Sequence, residues 1–426
     1  MKDICIYFQV HQPYRLRRFR LFDIGSGLGY FDDELNRKLL RRVAHKCYAP
    51  ANRLLADLIQ ASDGRFKIAL SLSGTVIEQL AETAPDALES FGDLVATDGV
   101  ELLAETYYHS LASLADLDEF EEQVRLHRRT IERWFGRRPT VFRNSELIFE
   151  DRLASRIAAL GFEAVLVEGA DDVLAWRSPN FVYASESRPE LRLLARNYRL
   201  SDDVGFRFSN RGWEGWPLTA DRYARRIADS PGDCVNLFID YETFGEHQWD
   251  DTGIFDFLRH LPAECERLGL AFAHPGEVAR RFPISTLSFP RPTSWADIDR
   301  DVSAWLGNGM QTSMHRRLYR LGAAVKASHD PAHLAAWRRL TTSDHLYYMC
   351  TKWFADGDVH KYFSPYDTPY DAFIIFANVL QDLEQAVEAK AASRFADAPG
   401  ESMPATVLAP TRRLHPGPAA TAVGAP

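Results

Sequence analysis

The stretch "LFIDYETFGEHQWD", residues 237–250, passes from aliphatic to acidic and ends in a cluster of Glu, His, Gln and Trp. In an extended chain successive side chains alternate faces, so Asp240 and Glu242 are expected to point one way and Tyr241 the other. Neighbouring carboxylates repel. A chain that keeps two of them at the end of a buried strand pushes a carboxyl pKa toward neutrality, as acid/base chemistry requires.

Working outward from this run, which continues the apolar strand-like stretch Val235 to Ile239, six more apolar stretches have strand character: Ile4 to Val10, Ile68 to Leu72, Val100 to Leu103, Thr140 to Arg143, Ala164 to Val167 and Leu191 to Ala195. Helical patterns lie between them. In "EFEEQVRLHRRTIERWFG" (119–136), Phe120, Val124, Ile131 and Trp134 fall near helical spacing and Gly136 supplies a stop. Strands alternating with helices predict a parallel sheet, and this many predict a closed or nearly closed barrel. An open doubly wound sheet is the alternative, but no G-x-G-x-x-G follows the first run. Polar groups collect where the runs end: His11 after the first, Glu101 and Glu105 in "VELLAE", Glu146 in "TVFRNSE", Glu168 in "AVLVEG", and Asp240 with Glu242. In barrel enzymes the carboxyl ends of the strands carry the chemistry. A single carboxylate at a strand end is more often a cap or a loop ion pair. Several strands doing this together favour one active site.

Composition bounds the function. The chain has 426 residues, 46% hydrophobic, with a formal net charge of -9, enough for one large core and a smaller second one. The acidic balance argues against nucleic-acid or anionic-membrane partners, and "RLRRFR" (15–20) alternates with apolar residues and reads as a local rim. No apolar stretch near the start is long enough for export or spanning, so the protein is expected to be cytoplasmic. The five cysteines are scattered without a close pair, which predicts core thiols and no zinc site or disulfide framework.

"YFQVHQPYRLRRF", "VELLAETYYHSL", "FRNSELIFED", "LFIDYETFGEHQW" and "AHPGEV" resemble, in order and spacing, the five signature regions of glycoside hydrolase family 57, above all its α-amylase-like branch. Segments 294–311 and 342–367 resemble that family's helical C-terminal part. The resemblance implies an α/β fold, an incomplete (β/α)7 barrel over 1–283, followed by a C-terminal helical region over 284–390 near the active-site mouth. It implies retaining hydrolysis of α-glucans or maltooligosaccharides, with no metal and no cofactor. It places Glu146 as nucleophile and Asp240 as general acid/base. His11 and Glu101 match positions lining the sugar subsite. Arg143, three residues before Glu146, is expected to keep the nucleophile ionised, and Glu242 to raise the pKa of Asp240.

Further substrate contacts are expected from His247 and Trp249 just past the acid and, in the C-terminal region, from His345 and Trp353. A core role is the competing reading for each tryptophan. From Ala391 to Pro426 the Ala, Pro and Gly content predicts a disordered tail.

The same fold and site would suit a 4-α-glucanotransferase or branching enzyme. Two other classes compete. A metal-dependent carbohydrate deacetylase would need Asp and His ligands, and the one H-x-x-x-H, "HDPAH" (329–333), is interrupted by Pro331 and lies outside the barrel. A catalytically silent glycan-binding protein would gain little from paired acids. The sequence does not fix the oligomeric state.

Overall fold

The seven expected strands form, each within two residues of its expected bounds. The computed structural model describes residues 2–352 and 364–397. The strands are β1 (Lys2–Val10), β2 (Ile68–Leu72), β3 (Val100–Leu102), β4 (Val141–Arg143), β5 (Ala164–Glu168), β6 (Val182–Ser185), β7 (Arg192–Arg196), β8 (Cys234–Asp240), β9 (Leu270–Phe272) and β10 (Thr286–Leu287). One sheet runs β3-β2-β1-β8 with β9 also against β1, and the other runs β10-β6-β7-β5-β4. All pairings are parallel except β6 with β7.

The sheets meet at two edges, and the edges differ. Between β3 and β4 the backbone itself bridges, Ala104 N–H donating to Val141 O at 3.0 Å and Arg143 N–H to Ala104 O at 2.8 Å. Between β7 and β8 a single backbone bond, Asn197 N–H to Asn236 O at 2.8 Å, is joined by side chains: Asn236 Nδ2 donates to Ala195 O at 2.9 Å and Arg196 Nε to Phe238 O at 2.9 Å. Strands β1, β2, β3, β4, β5, β7 and β8 thus enclose a barrel with one seam, the incomplete (β/α)7 architecture. Strands covered on both faces can be apolar throughout. In β1, Ile4, Ile6, Phe8 and Val10 face the surrounding helices, whereas Cys5 and Tyr7 fill the barrel with Ala69, Leu166, Leu194 and Phe238.

The helix Leu117–Phe135 shows why the sequence pattern was readable. Asp116 accepts the amides of Asp118 and Glu119 at its start, and Gly136, at φ 63°, takes the left-handed conformation that ends it. All five cysteines are buried and unbridged.

The C-terminal region has its own core, built on Trp305, Trp337, Val379 and Leu383, to which the barrel side contributes Leu16, Phe19 and Ile148. Two expected boundaries move. Strand β10 lies beyond residue 283 yet pairs with β6, because Leu287 and Phe289 complete the apolar layer under that sheet. The first helix after it begins at Ser303. At the other end the helix starting at Pro369 continues to Asp397, so residues 391–397 of the stretch expected to be disordered are helical; "KAASRFAD" is made largely of residues that a helix accommodates. Among the described residues no helix is long and apolar enough to cross a membrane.

Candidate active site

Glu146 sits in a tight turn immediately after β4, where Glu146 and Leu147 both adopt left-handed backbone angles, φ 58° and 52°. Such angles are unfavourable for residues with a Cβ and persist where neighbours hold them. Here Asn144 Nδ2 donates to Ile148 O at 2.8 Å and to Ser113 Oγ at 2.9 Å, and Trp295 N–H donates to Glu146 O at 3.2 Å. The sequence "RNSE" is thus a device for turning one carboxylate into the barrel mouth.

That carboxylate is surrounded by donors. Trp295 Nε1 donates to Oε2 at 2.8 Å, Ser343 Oγ to Oε1 at 2.9 Å, and His109 Nε2 lies 3.3 Å from Oε1. Burial pushes the Glu146 pKa up, but the His109 hydrogen bond and charge, with Arg143, outweigh it and hold the pKa below the ordinary value. Arg143 therefore acts in the direction its spacing predicts. It does so through space: its guanidinium is fully buried, makes no hydrogen bond among the described residues and lies 4.7 Å from the Trp295 ring centroid.

His109 is the hub. Its Nδ1 is 2.8 Å from Glu105 Oε2, and its ring stacks on His11 at 4.1 Å. Burial lowers its pKa, but the two carboxylates win and raise it to about 9, so it is a cation at neutral pH. Glu105, buried at 0% exposure, also accepts Gln9 Nε2 at 3.1 Å. Burial is the largest influence on Glu105 and opposes ionisation; His109 reverses it and holds the pKa at about 2. His11 in turn bonds Ser73 Oγ at 2.7 Å and Asp344 Oδ2 at 3.1 Å. Its pKa is lowered by burial and by the His109 charge, so next to a cation it is the neutral member of the stacked pair.

Asp240 closes β8 and behaves in the opposite way to Glu146. Burial, then the Glu146 charge, raise its pKa to about 6, against the pull of Arg143, His109 and Arg196. The site thus holds one carboxyl group biased toward ionisation and a second biased toward keeping its proton.

Not every expected contact is present. Glu242 was expected to share a strand face with Asp240 and raise its pKa. The strand ends at Asp240 and Tyr241–Thr243 is a helical turn, so strict alternation fails; Glu242 instead accepts Tyr48 Oη at 2.5 Å, and Glu146 is the charge that lifts Asp240. The Glu242 pKa is itself raised to about 8 by burial and by Asp240. Tyr241 packs behind as expected, bonded to Asn52 Oδ1 at 2.6 Å.

Glu101 does not join the cluster either. It lies toward the amino end of the barrel, where its Oε2 accepts the Gly276 N–H at 2.8 Å, and a Cβ at Gly276 would stand 2.5 Å from Oε1. The glutamate at the mouth in "VELLAE" is Glu105. His345 is likewise displaced by one residue: it is 2% exposed and packs 5.7 Å from the Phe376 ring, whereas its neighbour Asp344 reaches His11. His247 follows the acid on a turn in which its N–H donates to Glu242 O at 2.9 Å, and burial lowers its pKa to about 4. Trp249 is 58% exposed, with Lys46 Nζ 5.2 Å from its ring centroid. Trp353 lies outside the described residues. Three site residues were given no role from sequence: His109, Trp295 and Ser343; Asp344 lies in the C-terminal polar segment that was expected near the mouth. Only His109 left a local signal, four residues after Glu105 in "ETYYH".

The profile "Glycosyl hydrolase family 57" matches residues 5–288. A protein of Methanocaldococcus jannaschii named "Putative alpha-amylase" is 44% identical over 401 residues, covering 90% of this chain and 85% of that one. Among solved structures, a family 57 branching enzyme from Thermococcus kodakaraensis superposes with a TM-score of 0.66 at 12% identity, covering 93% of this chain and 92% of that one. The α-amylase AmyC of Thermotoga maritima gives 0.61 at 12% identity, covering 94% and 95%. At such identities these two structures speak for the fold. Profile and close relative together place the chain in glycosyl hydrolase family 57.

Proposed function

We propose that this glycosidase cleaves α-1,4-glucosidic bonds of an α-glucan or maltooligosaccharide with retention. The observation that supports this most strongly is the pair of part-buried carboxyl groups just after β4 and at the end of β8, whose pKa values are pushed in opposite directions, Glu146 down and Asp240 up to about 6. Ionised Glu146 attacks the anomeric carbon as Asp240 passes its proton to the departing glycosidic oxygen, which leaves a glycosyl-enzyme ester and ionised Asp240. Asp240 then takes a proton from water as its oxygen attacks the same carbon, and Glu146 leaves as carboxylate. His109 steadies the negative charge on Glu146 before attack and after release, and His11 and Asp344 are placed to bond sugar hydroxyls. No step calls for a metal or cofactor.

The part from Ser303 onward completes the mouth through Ser343 and Asp344, while the segment around Trp295 holds Glu146. Five buried unbridged thiols suit a reducing compartment, the cytoplasm.

Incubation with maltooligosaccharides of defined length, followed by chromatography of the products, tests this reading. Shorter chains alone support hydrolysis. Simultaneous appearance of longer linear or branched chains would make a sugar hydroxyl the preferred acceptor, as in a transferase. No conversion of any glucan would sink it.

A further inference from the structure

A second concavity of about 890 Å³ lies away from the catalytic carboxylates, between the helix Asp151–Ala159 and the long helix Gly309–Ser328. Its size falls within the range of small-molecule sites, roughly 300–1,000 Å³. Two pairs of arginines line it, Arg152 with Arg156 and Arg316 with Arg320, each pair one turn apart on its helix. Like charges at this spacing repel. The first pair is compensated: Arg152 meets Glu150, and Arg156 bonds Glu121 at 2.6 Å. The second is not, since neither the Arg316 nor the Arg320 side chain has a hydrogen bond or ion pair among the described residues, and both residues are exposed.

A further polar group lines the same space. His315 is 8% exposed, and its buried Nε2 has no hydrogen-bond partner. Its ring lies 4.9 Å from that of Tyr319, which also lines the groove. An unpartnered buried ring nitrogen is costly unless a ligand or water satisfies it. Two uncompensated guanidinium forks lining the same groove as His315 match a group with several anionic oxygens, for which Arg geometry is suited. Asp116 and Asp118 also line the groove; Asp116 is engaged with the amides of its own helix and Asp118 faces Arg156 at 3.7 Å. The remaining unbalanced charge is positive.

We propose that this groove binds a phosphate-bearing metabolite, its phosphate held by Arg316, Arg320 and His315 Nε2. The site is separate from hydrolysis and does not depend on the glucan reading. Calorimetric titration of the full chain with inorganic phosphate and with glucose 1-phosphate, at ionic strength matched with sodium chloride, gives saturable binding at one site. In the double variant Arg316→Gln/Arg320→Gln, whose changes are on exposed side chains, affinity falls at least tenfold, while melting temperature and glucan conversion without phosphate stay as in the parent. Saturating maltose leaves phosphate affinity unchanged. Phosphate binding that is absent at millimolar concentration, equal in the double variant, or abolished by chloride alone overturns the proposal. Glucose binding as well as glucose 1-phosphate, with equal loss in the variant, also overturns it, making the groove a neutral-sugar site.

Discussion

Replacing His109 with Asn separates the electrostatic role of the hub from its structural one. His109 has φ 51°, a left-handed angle that Asn tolerates better than most side chains, so the backbone keeps its path. The shorter amide is uncharged. A charge-assisted hydrogen bond contributes about 1.5–3 kcal/mol. At 3.3 Å the contact with Glu146 belongs at the lower end, and about 1.5 kcal/mol corresponds to about one pH unit at 1.36 kcal/mol per unit. The acid limb of the kcat/KM profile, which reports ionisation of Glu146, therefore moves up by about one unit; because the Glu146 pKa starts below the ordinary carboxylate value, the loss falls on the acid side of the profile and is small at pH 7. Trp295 and Ser343 still donate to Glu146, so the loss is partial.

Stability changes as well, with a sign that depends on pH. Glu105 has a depressed native pKa, so its contribution is present above the unfolded carboxylate range and is lost as pH falls toward about 2. His109 has a raised pKa, so its contribution is full below its unfolded value near 6.5 and is lost as pH rises through about 9. Without His109 the buried Glu105 carboxylate loses its cation, at a cost of about 3–5 kcal/mol at neutral pH. The melting deficit of the variant then shrinks on acidification, as Glu105 takes up a proton. Adding Glu105→Gln restores melting temperature without restoring activity. An acid limb that stays in place in His109→Asn, measured with soluble maltooligosaccharides, would refute the electrostatic role.

Asp240→Asn is expected to slow glucan hydrolysis by roughly 10²–10⁴-fold while largely sparing α-glucosyl fluoride, whose leaving group needs no proton; equal losses on both would remove Asp240 as the acid. In the wild type the basic limb of kcat/KM is expected near the raised Asp240 pKa of about 6, with activity falling as pH rises through it; a limb above 8 would contradict this assignment. Trp295→Phe removes the donor to Glu146 Oε2 but keeps a ring over Arg143, so kcat is expected to drop about tenfold with little change in KM; an unchanged kcat would mean the indole only packs. Glu101→Gln, far from the cluster, is expected to affect thermal melting more than kcat/KM, and the reverse pattern would restore Glu101 to the sugar site.

The barrel was legible because its strands are buried on both faces and so appear as unbroken apolar runs between helical patterns. The extra elements were not. Strand β10 is two residues long and β6 pairs antiparallel beside the barrel strands, and neither leaves a periodic signal. Of the site, Asp240 could be noticed because it ends a strand and Glu146 because it closely follows one, while their roles came from the family resemblance. The alternation argument reached two residues past the strand at Glu242, since local hydrogen bonding turned the chain at Tyr241. Contacts made across the chain were invisible: His11 meets Asp344, and Glu146 meets Trp295 and Ser343, over separations of well over a hundred residues. In the C-terminal segment the choice between Asp344 and His345 depended on which face of a short helix looks toward the barrel. Packing against Phe376 decides that, and no sequence pattern shows it.

The central claim is that Glu146 forms a covalent glycosyl-enzyme. A 5-fluoro-α-glucosyl fluoride carries a good leaving group, while its ring fluorine destabilises the oxocarbenium-like transition states, so an intermediate formed by such an enzyme accumulates. Mass spectrometry of the intact protein and of its peptic peptides tests this directly. The expected result is one fluoroglucosyl group per chain, on the peptide containing "FRNSELIFED" and at Glu146, with no labelling of Glu146→Gln. Label on Asp240 or Glu242, or a first-formed product of inverted anomeric configuration by proton NMR, would contradict the account.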